Sequence, residues 1–142
     1  MKKYQNYING KWVDSSSGKI IAVDNPATEK VIGEIACATS PDVDMAIEAA
    51  KKSFQNRSLV DMPILDRAQL MHKIADETRK VAKEGGTLLC YENGKALVGA
   101  IKEFNDVADT FDYYAGLTDK LEGKTIPVAK GVLDYTILEP YG

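Results

Sequence analysis

Apolar positions come in short runs over roughly the first forty residues, then at helical spacing over about the next eighty. Tyr7-Ile8 and Trp12-Val13 flank Asn9-Gly10, the residue pair that tolerates the positive φ angles of a tight hairpin turn. A β-hairpin is therefore predicted there. Ser15-Ser16-Ser17-Gly18 reads as a loop, and Ile20, Ile21 and Val23 as a short strand. Asn25-Pro26-Ala27-Thr28 is a turn, because proline fixes φ and pushes the residue before it towards an extended conformation. Another strand is predicted over 31–38.

The helical part opens at Ser40, a good N-cap, with Pro41 at the first helical position where its missing N–H costs nothing. Val43, Ile47, Ala50 and Phe54 then share one face. A second helix is predicted over 63–83, with Ile64, Ala68, Met71, Ile74 and Val81 inward, and Gly85-Gly86 is read as its stop. A short third helix over 88–92 ends at Asn93-Gly94. The fourth and longest covers 96–121, with a stripe of Leu97, Ile101, Phe104, Ala108, Phe111 and Ala115 ended by Gly123. A last strand is predicted over 132–139. It is apolar on both faces, with Leu133, Tyr135 and Ile137 on one and Val132 and Leu138 on the other, so it expects cover on both sides. Little chain follows to supply that cover, which raises the expectation of a missing remainder.

Composition narrows the class. A chain of 142 residues suits one domain, and 44% hydrophobic with 27% charged residues is ordinary for a soluble globular protein. Net charge is −3, with 18 basic and 21 acidic residues mixed along the chain, so no nucleic-acid partner is expected. Met1-Lys2-Lys3 runs into polar Tyr4, Gln5 and Asn6, and no stretch is long or apolar enough to span a bilayer. The expectation is a cytoplasmic protein with no membrane partner, in which Cys37 and Cys90 are reduced thiols.

Candidate chemistry is sparse. Each cysteine is best read as a small buried hydrophobe, and two cysteines with the single histidine, His72, leave a zinc ligand set short. His72 reads as a solvated or half-buried helix residue, and no Gly-x-Ser-x-Gly elbow presents a serine. Gly94 and Gly99 have the spacing of a phosphate loop, but Ala100-Ile101 replace its lysine and hydroxyl residue. No G-x-G-x-x-G follows a strand. Glu103, Asp106, Asp109 and Asp112 have the spacing of a solvated helix face. The residues alone reach a mostly helical domain without a recognisable catalytic set.

Read together, the segments are more specific. Tyr7-Ile8-Asn9-Gly10-Lys11-Trp12, Ser17-Gly18-Lys19 and Asn25-Pro26-Ala27-Thr28 come in order, then Asp42-Val43-Asp44 with Ala46, Ala49 and Ala50. Glu92-Asn93-Gly94-Lys95, Tyr113-Tyr114-Ala115-Gly116 and Gly123-Lys124-Thr125-Ile126-Pro127 follow, then Tyr135-Thr136 and Glu139-Pro140-Tyr141-Gly142. This series closely resembles the N-terminal portion of NAD(P)-dependent aldehyde dehydrogenases, across essentially the whole chain.

The resemblance implies an α/β fold of the aldehyde dehydrogenase type, incomplete, with short N-terminal β-hairpins, four helices and one C-terminal strand. It divides the chain into a β-hairpin region over 1–39, a helical part of the nucleotide-binding domain over 40–122, and a strand of the oligomerisation region over 132–142. Members of the family oxidise aldehydes to acids through a thiohemiacetal on a cysteine, pass a hydride to the nicotinamide, and use a glutamate to activate water and an asparagine to hold the oxyanion. Those residues fall beyond residue 142. Neither Cys37 nor Cys90 matches the family's nucleophile, so no catalytic and no cofactor-binding residue is assigned. NAD or NADP is expected in the full-length enzyme and neither is expected to bind this chain alone. The implied partners are a small-molecule aldehyde in the full enzyme and further copies of the chain, as a homo-oligomer or by self-association.

Two sites are carried over by motif. Val23, Asp24 and Glu92 correspond to part of the shell of a monovalent cation, for which oxygen ligands suit a hard ion. Lys102 and Asp106 correspond to positions lining the substrate entrance. The alternative role is a stand-alone assembly or regulatory module that associates with a full-length aldehyde dehydrogenase.

Overall fold

The computed structural model describes residues 2–141. Gly142, which closes the Glu139-Pro140-Tyr141-Gly142 segment, lies outside the described residues, as does Met1. The chain begins with β1 (Lys2–Tyr4), β2 (Asn6–Ile8) and β3 (Lys11–Val13). Asn9 and Gly10 both take positive φ, 51° and 77°, which matches the right-handed twist of the strands they join. The resulting register sets Tyr7 opposite Trp12, with ring centroids 4.9 Å apart. β4 (Ile20–Asn25) and β5 (Lys30–Ala36) form an antiparallel pair, and β1 adds to β5 in parallel, giving the order β1-β5-β4. Their turn is held by Asn25, whose Oδ1 accepts from the Ala27 N–H at 2.9 Å and whose carbonyl accepts from the Glu29 N–H at 2.7 Å.

Helix α1 (Ser40–Gln55) starts one residue away from the expected frame. Thr39, extended at φ −103° and ψ 171°, is the N-cap, so Ser40 and Pro41 are the first two helical residues. The frame is set by Asp42. From the third helical position its carboxylate accepts from the Thr39 N–H at 2.8 Å and the Thr39 hydroxyl at 2.9 Å, the returning half of a capping box. It also accepts from the Ser16 N–H and Ser16 hydroxyl, both at 3.2 Å. Asp42 is only 1% exposed, yet its oxygens are satisfied, and these donors hold its carboxyl below the usual carboxylate range, the Thr39 N–H foremost. One side chain thus caps the helix and fastens it to the 15–17 loop.

The described residues form three helices, not four. α2 (Ile64–Asn93) runs straight through Gly85-Gly86, and α3 (Leu97–Ala115) packs along it. The glycines allow contact rather than termination. A Cβ on Gly86 would stand 2.8 Å from the Ile101 Cα and N, and one on Gly85 2.3 Å from the Phe104 ring. The Phe104 ring can swing away, but the Ile101 backbone cannot without parting the helices. Small residues continue the crossing, with Ala75 and Ala82 on α2 and Ala100, Ala108 and Ala115 on α3 all buried. Gly94, at φ 76°, is the true left-handed cap and donates to the Cys90 carbonyl at 3.0 Å. α3 ends at Ala115, well before Gly123, because successive i→i+3 bonds tighten the chain over 114–120.

The expected strand over 132–139 contracts to β7 (Asp134–Tyr135), paired only with β6 (Thr125–Ile126). Both its faces are exposed, and cross-strand partners stop after two residues. The stripe expected on α1 is exposed as well, with Ile47 60% and Val43 48% accessible, and on α2 the buried positions are Ala75, Ala82 and Gly86 rather than Ile74 and Val81. Large apolar side chains face outward over much of the surface.

Two predictions follow from these contacts. Alanine in place of helical glycine gains about 1 kcal/mol of helix propensity, while overpacking costs about 1–3 kcal/mol. Gly86→Ala is therefore expected to lower the urea midpoint, and Gly99→Ala, whose Cβ would meet only Lys95 Cε at 3.6 Å, to raise it; the reverse order would refute the crossing. For Asp42, the folded carboxyl lies below its unfolded value, so its contribution is complete above the unfolded carboxylate range and lost as pH falls through the folded pKa. Asp42→Asn should lower stability at neutral pH and flatten the acid limb of a stability–pH profile, and parallel profiles for the two proteins would contradict the clamp.

Candidate functional site

The C-terminal end of α2 meets the β4–β5 turn. Gly94 enables this approach, since a Cβ there would stand 3.2 Å from Pro26 Cγ. Beside the junction lies a cavity of about 160 Å³ lined by Val23, Glu92, Tyr4, Ile32, Ile35 and Leu88, with Gly33 at its wall. Val23 is half-buried and Glu92 exposed. The strand ladder is irregular here: Val23 pairs with Gly33 and Asp24 with Val31, leaving Ile32 as an extra residue of β5. The structure therefore brings Val23 and Glu92 to one cavity, and leaves exposed Asp24 outside its lining. Its lining side chains are apolar apart from Glu92 and Tyr4. Among the described residues no group of three or more His, Cys, Asp or Glu side chains gathers to hold a metal. Protein oxygens here fit a partial shell for a hard cation at most.

Lys102 and Asp106 lie one turn apart on α3 and pair with each other, the Lys102 Nζ standing 2.6 Å from both Asp106 oxygens. Asp106 also borders an open groove of about 490 Å³ between α2 and α3, lined by Thr78, Leu89, Phe104, Val107 and Thr110 with Glu103. Lys102 does not line it. The two charges neutralise one another on an exposed helix face, where such a pair is worth little stability.

A third cluster was not foreseen as a unit. His72 Nδ1 lies 2.6 Å from Asp112 Oδ1, and Arg79 Nη2 donates to Asp112 at 2.5 Å and to Asp109 at 2.8 Å. His72 and Arg79 are seven residues apart on α2, and Asp109 and Asp112 three apart on α3, so both pairs lie on facing sides of the crossing. Their spacing was visible in the sequence, but only the helix pairing shows that they meet. The hydrogen bond from His72 and then the Arg79 guanidinium hold the Asp112 carboxyl below the usual carboxylate range, and Asp109 and Asp112 raise Arg79. An imidazole oriented by a carboxylate is half of a nucleophile-activating arrangement. On the same two helices the hydroxyls of Thr78 and Thr110 donate to the carbonyls of Ile74 and Asp106. The cluster works as a cross-helix clasp.

Cys37 and Cys90 are both free and half-buried. Each takes part in the architecture through its backbone, Cys37 N–H donating to the Lys19 carbonyl at 2.9 Å and Cys90 accepting from Gly94.

Comparison with known proteins gives these features a context. The model of the aldehyde dehydrogenase family matches residues 12–142. Mouse retinaldehyde dehydrogenase 3 is 37% identical over 138 residues, covering 96% of this chain and 27% of that protein. Mouse mitochondrial 10-formyltetrahydrofolate dehydrogenase is 34% identical over 98% of this chain and 16% of its own length. Among solved structures, an NAD+ complex of an aldehyde dehydrogenase from Bacillus cereus superposes with a TM-score of 0.88 at 33% identity, over 94% of this chain and 28% of that one. An NAD-dependent aldehyde dehydrogenase from Sinorhizobium meliloti gives 0.82 at 34% identity, over 89% and 26%. The chain thus spans about a quarter or less of the relatives it matches. A family match over nearly the whole sequence, the same backbone path, and the turn and cap residues described above agree: this chain belongs to the aldehyde dehydrogenase family.

Proposed function

We propose that this chain is the N-terminal portion of an enzyme that oxidises an aldehyde to a carboxylic acid with NAD(P)+, and that it is inactive alone. The observation that carries the reading is the match in sequence and backbone over 94% of the chain to only 28% of an aldehyde dehydrogenase solved with NAD+. The chemistry needs an activated thiolate, an oxyanion donor pair and a general base in mutual reach. Within this chain the carboxylate beside His72 is also bound by Arg79. We assign the region over 1–39 and the strand over 132–142 to oligomer assembly, and the helices over 40–122 to packing around the nucleotide-binding sheet.

The outward-facing apolar side chains support this assignment. Ile47, Ile74, Val81, Leu97 and Val107 are exposed along the helices, and exposed apolar surface of this kind marks interaction sites where it is contiguous. The same observation favours a second reading, association with a full-length aldehyde dehydrogenase as an assembly or regulatory module. Val23, Asp24 and Glu92 are proposed to supply part of a sodium or potassium shell, and Lys102 and Asp106 to border the substrate entrance as a neutral pair. Among the described residues no helix is long and apolar enough to cross a membrane.

The purified chain is expected to show no nicotinamide reduction with a broad aldehyde panel and either NAD+ or NADP+; measurable turnover would refute the inactivity. It is also expected to elute as an oligomer or aggregate, and a monomer with a cooperative melt would count against both readings. In a full-length protein carrying this segment, potassium in place of choline should raise stability by about 1.4 kcal/mol when the ion stands at about ten times its Kd. Glu92→Ala should abolish that gain, and an unchanged gain would remove Glu92 from the site. Replacing Lys102 and Asp106 together by leucine in that protein should raise KM for polar aldehydes relative to aliphatic ones, on the order of ten-fold, with kcat retained. An unchanged ratio would return both residues to the solvated face.

A further inference from the structure

We draw no further inference here: the strongest candidate, the apolar groove between the β2–β3 hairpin and α1 lined by Ile8, Val13, Met45 and Ala49, is an unpartnered face, and nothing in the structure shows what covers it.

Discussion

The close approach of α2 to α3 at Gly86 is the constraint on which the remaining architecture depends. A glycine in mid-helix costs about 1 kcal/mol relative to alanine, so its presence needs a compensating contact. That contact is the Ile101 backbone, which a Cβ on Gly86 would meet at 2.8 Å. Once the axes lie that close, the flanking buried positions must also be small, and Ala75, Ala82, Ala100, Ala108 and Ala115 fill them. The charged clasp of His72, Arg79, Asp109 and Asp112 lies on the same pair of helices and ties their surfaces together. Exposed ion pairs contribute little to stability, so the small-residue seam decides the packing and the clasp follows it.

That seam has a consequence for the larger side chains. If alanines and glycine occupy the crossing, the leucines, isoleucines, valines and tyrosines of the same helices must point elsewhere. In an independent domain of this size they would form the core, since large aliphatic side chains are among the residues most often buried. Among the described residues the buried hydrophobic ones are alanines alone, while Val98, Leu121, Leu133 and Leu138 are among the most exposed. Sheet and helices are joined by few contacts besides the Asp42 clamp and the junction of α2 with β4. Such a distribution suits a segment whose apolar faces meet further structure, in keeping with a chain that spans 28% of a solved relative.

Local chemistry was legible in the sequence and long-range contact was not. The Asn9-Gly10 hairpin, the Asn25-Pro26 turn and the cap at Gly94 depend on φ preferences that each residue carries with it. Gly85-Gly86 misled because a glycine pair after an apolar stripe looks the same whether it ends a helix or admits a neighbour. Only the partner distinguishes them. The Thr39 cap was missed by one position for a different reason: Ser40-Pro41 matches the usual start signal, but Thr39-x-x-Asp42 satisfies the orphan N–H groups better. Of the proposed sites, Val23 and Glu92 meet at one cavity and Lys102 and Asp106 meet each other, whereas the joining of His72 to Asp112 required the helix pairing to be known.

Several of the residues that marked the family are those that shape the backbone. Asn9-Gly10 turns a hairpin, Asn25-Pro26 turns the β4–β5 pair, Asp42 caps and clamps α1, and Gly94 ends α2 against Pro26. None has a free nucleophile or base to offer. Segments of this kind identify a fold because the backbone needs them at fixed places, and they stay silent about substrate for the same reason. A chemical assignment for this chain therefore rests on family membership, while several of its polar side chains are committed within the segment, as the Asp112 carboxylate is to Arg79, Asp106 to Lys102 and the Thr78 hydroxyl to a helix carbonyl.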